Sequence, residues 1–358
     1  MLRMRLWLMA ATLLSAIPAL LSAADKKLAI TDINLVDVDF AFQGEYVGSV
    51  LTGLYDWQPI ALQVIALGEG KFEAVEYGGG LPGAGAFGKA RIRIPGQLNG
   101  DAVTFISGPL TIVIRDRLAT MALDSYAHPI GHLKKIQRSS PTLGAPPPSD
   151  AIVLFDGTHT DHFKGGRMTE NGLLMVGTET KEAYRDFTLH LEFRLPYMPH
   201  ARGQGRSNSG VYVQSRYEVQ ILDSFGLDGK HNECGGLYKQ RQPALNMCLP
   251  PLTWQTYDID FRSPRFDDSG NKTDNARITV RHNGVLIHDD VEITAKTGAG
   301  KKEDAEPLPT KLQDHRNPVV FRNIWIVKRG ESVSDHSLAV DSSNPSAPVT
   351  ALRLTAAE

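Results

Sequence analysis

Hydrophobic and polar residues alternate with a period of two along much of the chain. In DFTLHLEFRLPY (residues 186–197), one set of alternate positions is apolar and the other is mainly polar: Phe187, Leu189, Leu191, Phe193 and Leu195 against Thr188, His190, Glu192 and Arg194. This period is typical of a β-strand with one buried face. No convincing amphipathic helix interrupts the runs, so the pattern predicts an all-β protein built from packed antiparallel sheets.

Turn-forming residues divide the chain into regions. The segment RSSPTLGAPPPSD, residues 138–150, is rich in proline and small residues and predicts a linker. Residues 25–137 contain short β-branched and aromatic runs separated by Gly, Pro and Asn-Gly, which predicts a small antiparallel all-β domain. Residues 151–330 repeat the pattern with longer strands, and residues 331–358 have the composition of a flexible tail.

The first residues predict export. Arg3 and Arg5 precede an almost wholly apolar run over residues 6–21, and Ser22-Ala23-Ala24 supplies small residues before charged ones. This is the layout of a secretory signal peptide, residues 1–24. The alternative, an uncleaved anchor helix, is disfavoured because the run is shorter than the ~20 residues that span a bilayer. We therefore expect a periplasmic or extracellular protein.

Charge and cysteine content narrow the partners. The formal net charge is −2, which gives no bulk attraction to nucleic acid or anionic lipid. Small neutral substrates or ordinary protein partners fit better, and no later segment predicts a membrane span.

Cys234 and Cys248 are the only cysteines. In an exported chain we favour a disulfide, which would contribute ~3 kcal/mol, over a zinc site, with a free buried pair as the alternative.

A polar face on one strand is the first candidate for chemistry. In RYEVQILDSFG (residues 216–226), Glu218 and Gln220 share a face ~6.7 Å apart, and Asp223 falls on the other face. Ordinary glycosidases need two carboxyl groups, ~5–5.5 Å or ~6.5–9.5 Å apart. The amide of Gln220 cannot serve as acid or nucleophile, so the strand does not predict such a pair.

Several strings together resemble a known family: VLFDG (153–157), RSNSGVYVQSRYEVQILDS (206–224), CGGLYKQ (234–240), WQTYDIDF (254–261) and LQDHRNPVVFRNIWI (312–326). In order and spacing they resemble the 3-keto-disaccharide hydrolase family across nearly all of the second region. The resemblance implies a concanavalin A-like jelly-roll of two curved sheets with a carbohydrate cleft on the concave face. It also implies hydrolysis of glycosides whose glucose unit carries a ketone at carbon 3.

The implied chemistry needs one base rather than two acids. A 3-ketone acidifies the hydrogen on carbon 2; a base removes it, the enolate expels the glycosidic oxygen, and water then adds. Such a site requires a base, an enolate stabiliser and groups that orient the ring. The candidates are Glu218 and His315 as bases, with Asn208, Gln220, Tyr238 and Arg322 as substrate-binding residues. Arg316 replaces the glycine common in the family's QDHGNP, so the turn that carries His315 is open to change.

Other interpretations stay open at this stage. Arg322 could instead form a structural ion pair with Glu192 or Asp260. No metal motif is present, yet Glu218, His315 and a further oxygen could hold a divalent ion that polarises the ketone. A non-catalytic carbohydrate-binding module would use the same jelly-roll, and a conventional glucanase would require a second carboxylate near Glu218.

Overall fold

The computed structural model describes residues 28–87 and 92–330 and the backbone of residues 353–356. The predicted signal peptide, residues 1–24, and most of the predicted tail, residues 331–358, lie outside these ranges, so export remains a prediction. Nearly all regular structure in the described part is β-strand, which confirms the predicted fold class. Within the described ranges, no helix has the length and apolarity needed to span a membrane.

Eight antiparallel strands close into a barrel in the N-terminal region. Each pairs with the next in sequence, and β1 also pairs with β8, where Glu45 lies opposite Ile136. Large apolar side chains such as Tyr46, Phe72 and Phe105 fill the interior. The elements are α1 (Asp39–Phe42), β1 (Gly44–Gly53), β2 (Asp56–Gly68), β3 (Lys71–Gly78), β4 (Ile92–Asn99), β5 (Ala102–Ser107), β6 (Leu110–Arg115), β7 (Leu118–Leu123) and β8 (Gly131–Ser139).

The second region is a sandwich of two antiparallel sheets. The seven-stranded sheet has the order β11-β22-β13-β16-β19-β20, with β9 also on β22, and the five-stranded sheet has the order β10-β12-β21-β14-β15. The strands are β9 (Ile152–Phe155), β10 (Phe163–Lys164), β11 (Leu174–Met175), β12 (Thr178–Ala183), β13 (Phe187–Arg194), β14 (Ser209–Val213), β15 (Tyr217–Ile221), β16 (Trp254–Arg262), β17 (Arg265–Phe266), β18 (Lys272–Asp274), β19 (Ala276–His282), β20 (Val285–Ile293), β21 (Pro309–Leu312) and β22 (Val320–Lys328).

Two details follow directly from the sequence pattern. The apolar residues of β13, such as Leu189 and Leu191, are buried between the sheets as the alternation predicts. Asn283 and Gly284 connect β19 to β20 with positive φ angles of 52° and 78°. These angles match a type I′ hairpin turn, in which Asn-Gly is the favoured pair. A short ribbon, β17 with β18, and the last strand, β23 (Arg353–Ala356), which pairs with β8, complete the strands of the described part.

The barrel and the sandwich share one apolar core. Outward-facing barrel residues, including Ile65 and Val75, belong to the same buried cluster as the core of the sandwich. Arg93 of the barrel donates to the Gly226 carbonyl (2.9 Å) and to Asp228 (3.0 Å) of the sandwich. The two regions are therefore joined by burial of apolar surface as well as by hydrogen bonds.

The segment predicted as a linker is fixed to the protein. Strand β8 runs two residues into it, and Arg138 is buried in an ion pair with Glu45. Beyond the strand, Thr142 Oγ1 donates to Asp258 (2.8 Å) and the Gly144 amide donates to Glu192 (2.5 Å). The chain between the two regions thus runs along the outer face of the seven-stranded sheet.

Candidate functional site

The β14–β15 hairpin builds the candidate site. Its inward residues, such as Val211 and Val219, join the sandwich core, so the alternate residues lie on the outer face of the five-stranded sheet. On that face Tyr212 pairs with Glu218, and Gly210 pairs with Gln220. The two-residue period therefore places Glu218 and Gln220 on one face, as the sequence predicts, and the strand pairing adds a tyrosine beside the acid.

Glu218 is 2% exposed and is held by neutral groups. The Tyr212 hydroxyl donates to its Oε2 at 2.7 Å. The Gln220 amide, oriented so that its nitrogen donates, lies 2.9 Å from its Oε1. A Cβ added to Gly210 would come within 2.5 Å of the same oxygen, so a larger residue there would displace the carboxyl group from its observed position.

This setting makes Glu218 a weak acid. Burial raises the pKa of Glu218 to about 7, although the Tyr212 hydrogen bond and the charge of Lys311 act in the opposite direction. Burial and the nearby carboxyl group also raise the pKa of Tyr212 well above its ordinary value, so its hydroxyl stays protonated and donates. A carboxyl group that titrates near neutral pH can take up and release a proton in one catalytic cycle.

The open edge of β15 is covered by two other segments. Residues 235–238 run alongside it: the Gly235 amide donates to the Gln220 carbonyl (2.9 Å), and the Tyr238 amide donates to the Glu218 carbonyl (3.1 Å). From the next loop, the Thr297 hydroxyl accepts the Glu218 amide (2.8 Å). The half-buried Tyr238 ring lies against Gly298, where an added Cβ would meet it at 2.9 Å. Tyr238 therefore lies beside β15 and the residue Glu218, and its substrate-binding role stays a prediction.

Asn208 and His315 lie on two segments that meet at the end of β14. The Asn208 amide donates to Asn317 Oδ1 (2.7 Å), and its Nδ2 donates to the Gln204 carbonyl (2.8 Å). Gln313, two residues before His315, donates its amide to the Gly210 carbonyl (2.9 Å). The His315 side chain is exposed and makes no hydrogen bond within the described residues. It thus belongs to the rim of the site rather than to the buried group around Glu218.

Arg316, which stands where the resembled QDHGNP pattern has glycine, adopts a left-handed backbone conformation. Its φ is 66°, in the left-handed region, and its amide donates to Asp314 Oδ1 at 2.7 Å. The turn carrying His315 therefore retains the conformation that glycine favours, despite the side chain at this position.

Arg322 lies in a different part of the molecule. It is on β22 of the seven-stranded sheet, where it donates to Glu192 at 2.6 Å and stacks over Trp254 at 4.0 Å from the ring centroid. Glu192 alternates with the inward residues of β13, so this group occupies the outer face of the opposite sheet. The structure therefore does not bring Arg322 to the face that carries Glu218, and the ion pair with Glu192, which the sequence analysis left open, is its observed contact.

The expected disulfide is also corrected. Cys234 and Cys248 are free thiols, both fully buried in the sandwich core. Cys234 Sγ lies 3.2 Å from the Tyr257 hydroxyl, and Cys248 Sγ lies 3.5 Å from the Leu222 carbonyl.

Across the residues that the structure describes, no group of three or more His, Cys, Asp or Glu side chains is placed to hold a metal ion.

Sequence reasoning missed Tyr212, Gly210 and Lys311. Strand alternation places Tyr212 on an outer face, but its partner depends on the connection between the strands. Gln214 and Ser215 adopt φ angles of 49° and 53°, and Arg216 completes a three-residue loop that sets Tyr212 opposite Glu218. Lys311 reaches the same face because β21 pairs with β14, a contact between residues a hundred positions apart in the chain. No short sequence pattern predicts the pairing of β21 with β14.

Comparison with known proteins gives a consistent result. The model of a family described as "3-keto-alpha-glucoside-1,2-lyase-like domain" matches residues 150–327. A crystal structure from Parabacteroides distasonis named "putative glycosyl hydrolase" is 31% identical, covers 54% of this chain and 91% of its own, and has a TM-score of 0.45. Two further structures of that name and organism are each 18% identical, with TM-scores of 0.37 and 0.35; they cover 51% and 50% of this chain and 94% and 99% of their own. No curated protein matches the chain.

Proposed function

Residues 150–327 belong to the family of 3-keto-alpha-glucoside-1,2-lyase-like domains, and from this premise we propose that the protein cleaves glycosides whose glucose unit carries a ketone at carbon 3. Glu218 is the general base of this reaction. The substrate binds on the outer face of the five-stranded sheet, between Tyr238 and the loop that carries His315.

The observation that carries the proposal is a single buried carboxylic acid with a pKa of about 7. Within the described residues, the carboxyl group of Glu218 is hydrogen-bonded to Tyr212 and Gln220 and to no second carboxylate. Direct hydrolysis of an ordinary glycoside uses two carboxyl groups on opposite sides of the bond. Proton abstraction next to a ketone needs one base whose pKa lies near the working pH.

The steps follow from this arrangement. Glu218 removes the proton on carbon 2, and the electron pair of that C–H bond forms an enolate stabilised by the 3-ketone. The enolate collapses to a double bond between carbons 1 and 2, and the bond from carbon 1 to the glycosidic oxygen breaks. The proton on Glu218 passes to the departing oxygen. Water then adds its oxygen to carbon 1 and a proton to carbon 2, which gives net hydrolysis.

Neighbouring groups position the base and supply positive charge. The Tyr212 hydroxyl fixes one carboxylate oxygen, and the Gln220 amide fixes the other, so the free lone pairs have a defined direction. Lys311 lies with its ammonium 5.9 Å from the centroid of the Tyr212 ring. Its charge favours the negative enolate that forms beside Glu218.

The test compares 4-nitrophenyl 3-keto-α-glucoside with the unoxidised 4-nitrophenyl α-glucoside. We expect release of 4-nitrophenol from the keto substrate only, with slower release when carbon 2 carries deuterium because the C–H bond breaks. Glu218→Gln should lower kcat about 10²–10⁴-fold and leave substrate binding measurable. Glu182→Gln, an exposed carboxylate on the same sheet, is the matched control and should keep full activity.

The other outcomes decide against the proposal in specific ways. Equal cleavage of the unoxidised glucoside, without a deuterium effect, would identify a conventional glycosidase. Saturable binding of the keto sugar without turnover, unchanged in Glu218→Gln, would identify a carbohydrate-binding module.

A further inference from the structure

A cavity lies where the barrel meets the sandwich, and Glu218 is not among its lining residues. Its volume is about 370 Å³. One wall is formed by the start of β1 and the second half of β8. The segment before β1 forms a second wall, and residues 250–253 of the sandwich form a third. This volume falls within the range of sites that take small molecules in other proteins.

The lining of this cavity carries uncompensated positive charge. Its one carboxylate, Glu45, is already paired with Arg138, whose Nε donates to it at 2.6 Å. Arg117 and Lys135 also line the cavity, and within the described residues neither has a carboxylate partner. Partly buried cations without a counter-charge are unfavourable unless an anion compensates them.

Lys135 is held over the cavity by the backbone. Its Nζ donates to the Ala41 carbonyl at 2.7 Å. A Cβ added to Gly44 would come within 2.7 Å of the Lys135 side chain, and Gly44 has a φ of 141° that L side chains rarely adopt. Burial and the nearby Arg117 lower the pKa of Lys135 to about 8, so the amine still carries its charge at neutral pH.

An unpartnered polar group lies at the same place. Gln43 is 3% exposed and lines the cavity, and its Nε2 has no hydrogen-bond partner in the described part of the chain. Its Oε1 accepts the Ala66 amide at 3.2 Å, which fixes the side chain. A buried donor without a partner is rare in proteins and suggests that an acceptor is supplied from outside the chain.

Most of the remaining lining is apolar, with Gln137 and Thr253 as the polar exceptions. Phe40 comes from the segment before β1, Ile136 from β8, and Leu252 from the sandwich, next to Pro250 and Pro251. A ligand that satisfied only the cations would leave this surface in contact with water. The arrangement suits a molecule with one negatively charged end and an apolar body.

We infer that this cavity is a binding site for a small amphipathic anion, with the charged group on Arg117 and Lys135 and the apolar body between Phe40, Ile136 and Leu252. Because both regions of the protein line the cavity, the bound molecule bridges them. The site lies outside the face that carries Glu218, and the inference does not depend on the proposed reaction.

The test is calorimetric titration of the full chain with decanoate, using the neutral decanamide and inorganic phosphate as comparison ligands. We expect one decanoate per chain, with decanamide and phosphate each binding at least tenfold more weakly. Lys135→Met and Arg117→Met should each weaken decanoate binding at least tenfold. Lys134→Met removes an exposed charge next to Lys135 on the same strand and should change nothing.

Four results would overturn the inference. These are no heat with decanoate, equal binding of decanamide, phosphate binding as tightly as decanoate, and decanoate binding that survives in the Arg117→Met/Lys135→Met double variant. Circular dichroism of each variant confirms that a lost signal comes from the site rather than from unfolding. Turnover of the keto substrate should stay at the wild-type level in Lys135→Met, which separates this site from the one at Glu218.

Discussion

The two sheets of the sandwich each bury one glutamate on their outer face, and the two acids have opposite properties. Glu192 is fully buried, yet its pKa is lowered to about 2. Burial alone would raise it, but the nearby His190 ring and hydrogen bonds from Asn323, the Gly144 amide and Arg322 act together in the other direction. This acid is a fully compensated anion that fixes the segment between the two regions.

Glu218 is buried to a similar degree and receives no such compensation. Burial raises its pKa to about 7, because its direct partners, the neutral groups of Tyr212 and Gln220, do not offset the loss of water. Burial of a carboxylate therefore does not by itself identify a functional site. What separates the two is whether the neighbours stabilise the charge, and the uncompensated acid is the one left free to exchange a proton.

The largest effect that would test this comparison is expected at the compensated acid. Glu192→Gln removes the charge that His190 and Arg322 face, and we expect it to lower the free energy of unfolding by about 3–5 kcal/mol. Urea denaturation measures the loss, with Glu182→Gln as an exposed control. The activity of the folded fraction should be unchanged. A loss below 1 kcal/mol would show that the network is dispensable.

The opposite sign is expected at Glu218. Its pKa in the folded protein is raised, so its contribution to stability is greatest below the unfolded value near 4.5 and is lost as the pH rises through about 7. Glu218→Gln should therefore raise the free energy of unfolding by about 3 kcal/mol at pH 8 and change it little at pH 4. Thermal unfolding at the two pH values measures both. Equal effects at pH 4 and pH 8 would contradict the raised pKa.

A smaller effect should appear when Tyr212 loses its hydroxyl. The hydroxyl stabilises the charged form of Glu218, so Tyr212→Phe should move the acid limb of the kcat/KM profile upward by about one pH unit. In the wild type this limb should lie near pH 7, because only ionised Glu218 accepts the proton. Tyr217 lies on the same strand as Glu218 but faces the core, so Tyr217→Phe should leave the midpoint of the acid limb unchanged. A downward shift would mean that another group is the base.

The smallest effect concerns the turn at the rim of the Glu218 face. Arg316 holds a left-handed conformation that costs a residue with a side chain about 1 kcal/mol. Arg316→Gly should recover up to about 1 kcal/mol of unfolding free energy, measured by urea denaturation against Arg316→Ala, which should not. If both variants behave alike, the backbone conformation at this turn is not the source of the effect.

Much of this arrangement is encoded locally, and the remainder depends on long-range pairing. The alternation in residues 216–223 is sufficient to place Glu218 and Gln220 together, because the strand period is fixed by geometry. On β22, the same alternation places Arg322 on the opposite face from its sequence neighbours. It does not predict which sheet contains β22 or whether the face with Arg322 points inward or outward. Only the pairing of β22 with β13 decides that, and it assigns Arg322 to Glu192.

The same limit applies to the N-terminal region. Short runs and Asn-Gly turns predict antiparallel strands, but closure of the barrel requires β1 to meet β8 across about ninety residues.

The cysteines illustrate a different limit of prediction from sequence. Their spacing permits a disulfide loop, whereas both cysteines are free and buried in the structure.

The shared core has a practical consequence for anyone dividing the protein. A fragment limited to the family domain, residues 150–327, would lack Ile65 and Val75. The apolar surface that the barrel covers would then be exposed to solvent. The fragment would also lose Gly144, whose amide donates to Glu192. Such a fragment should be poorly soluble, because the barrel covers apolar surface of the family domain.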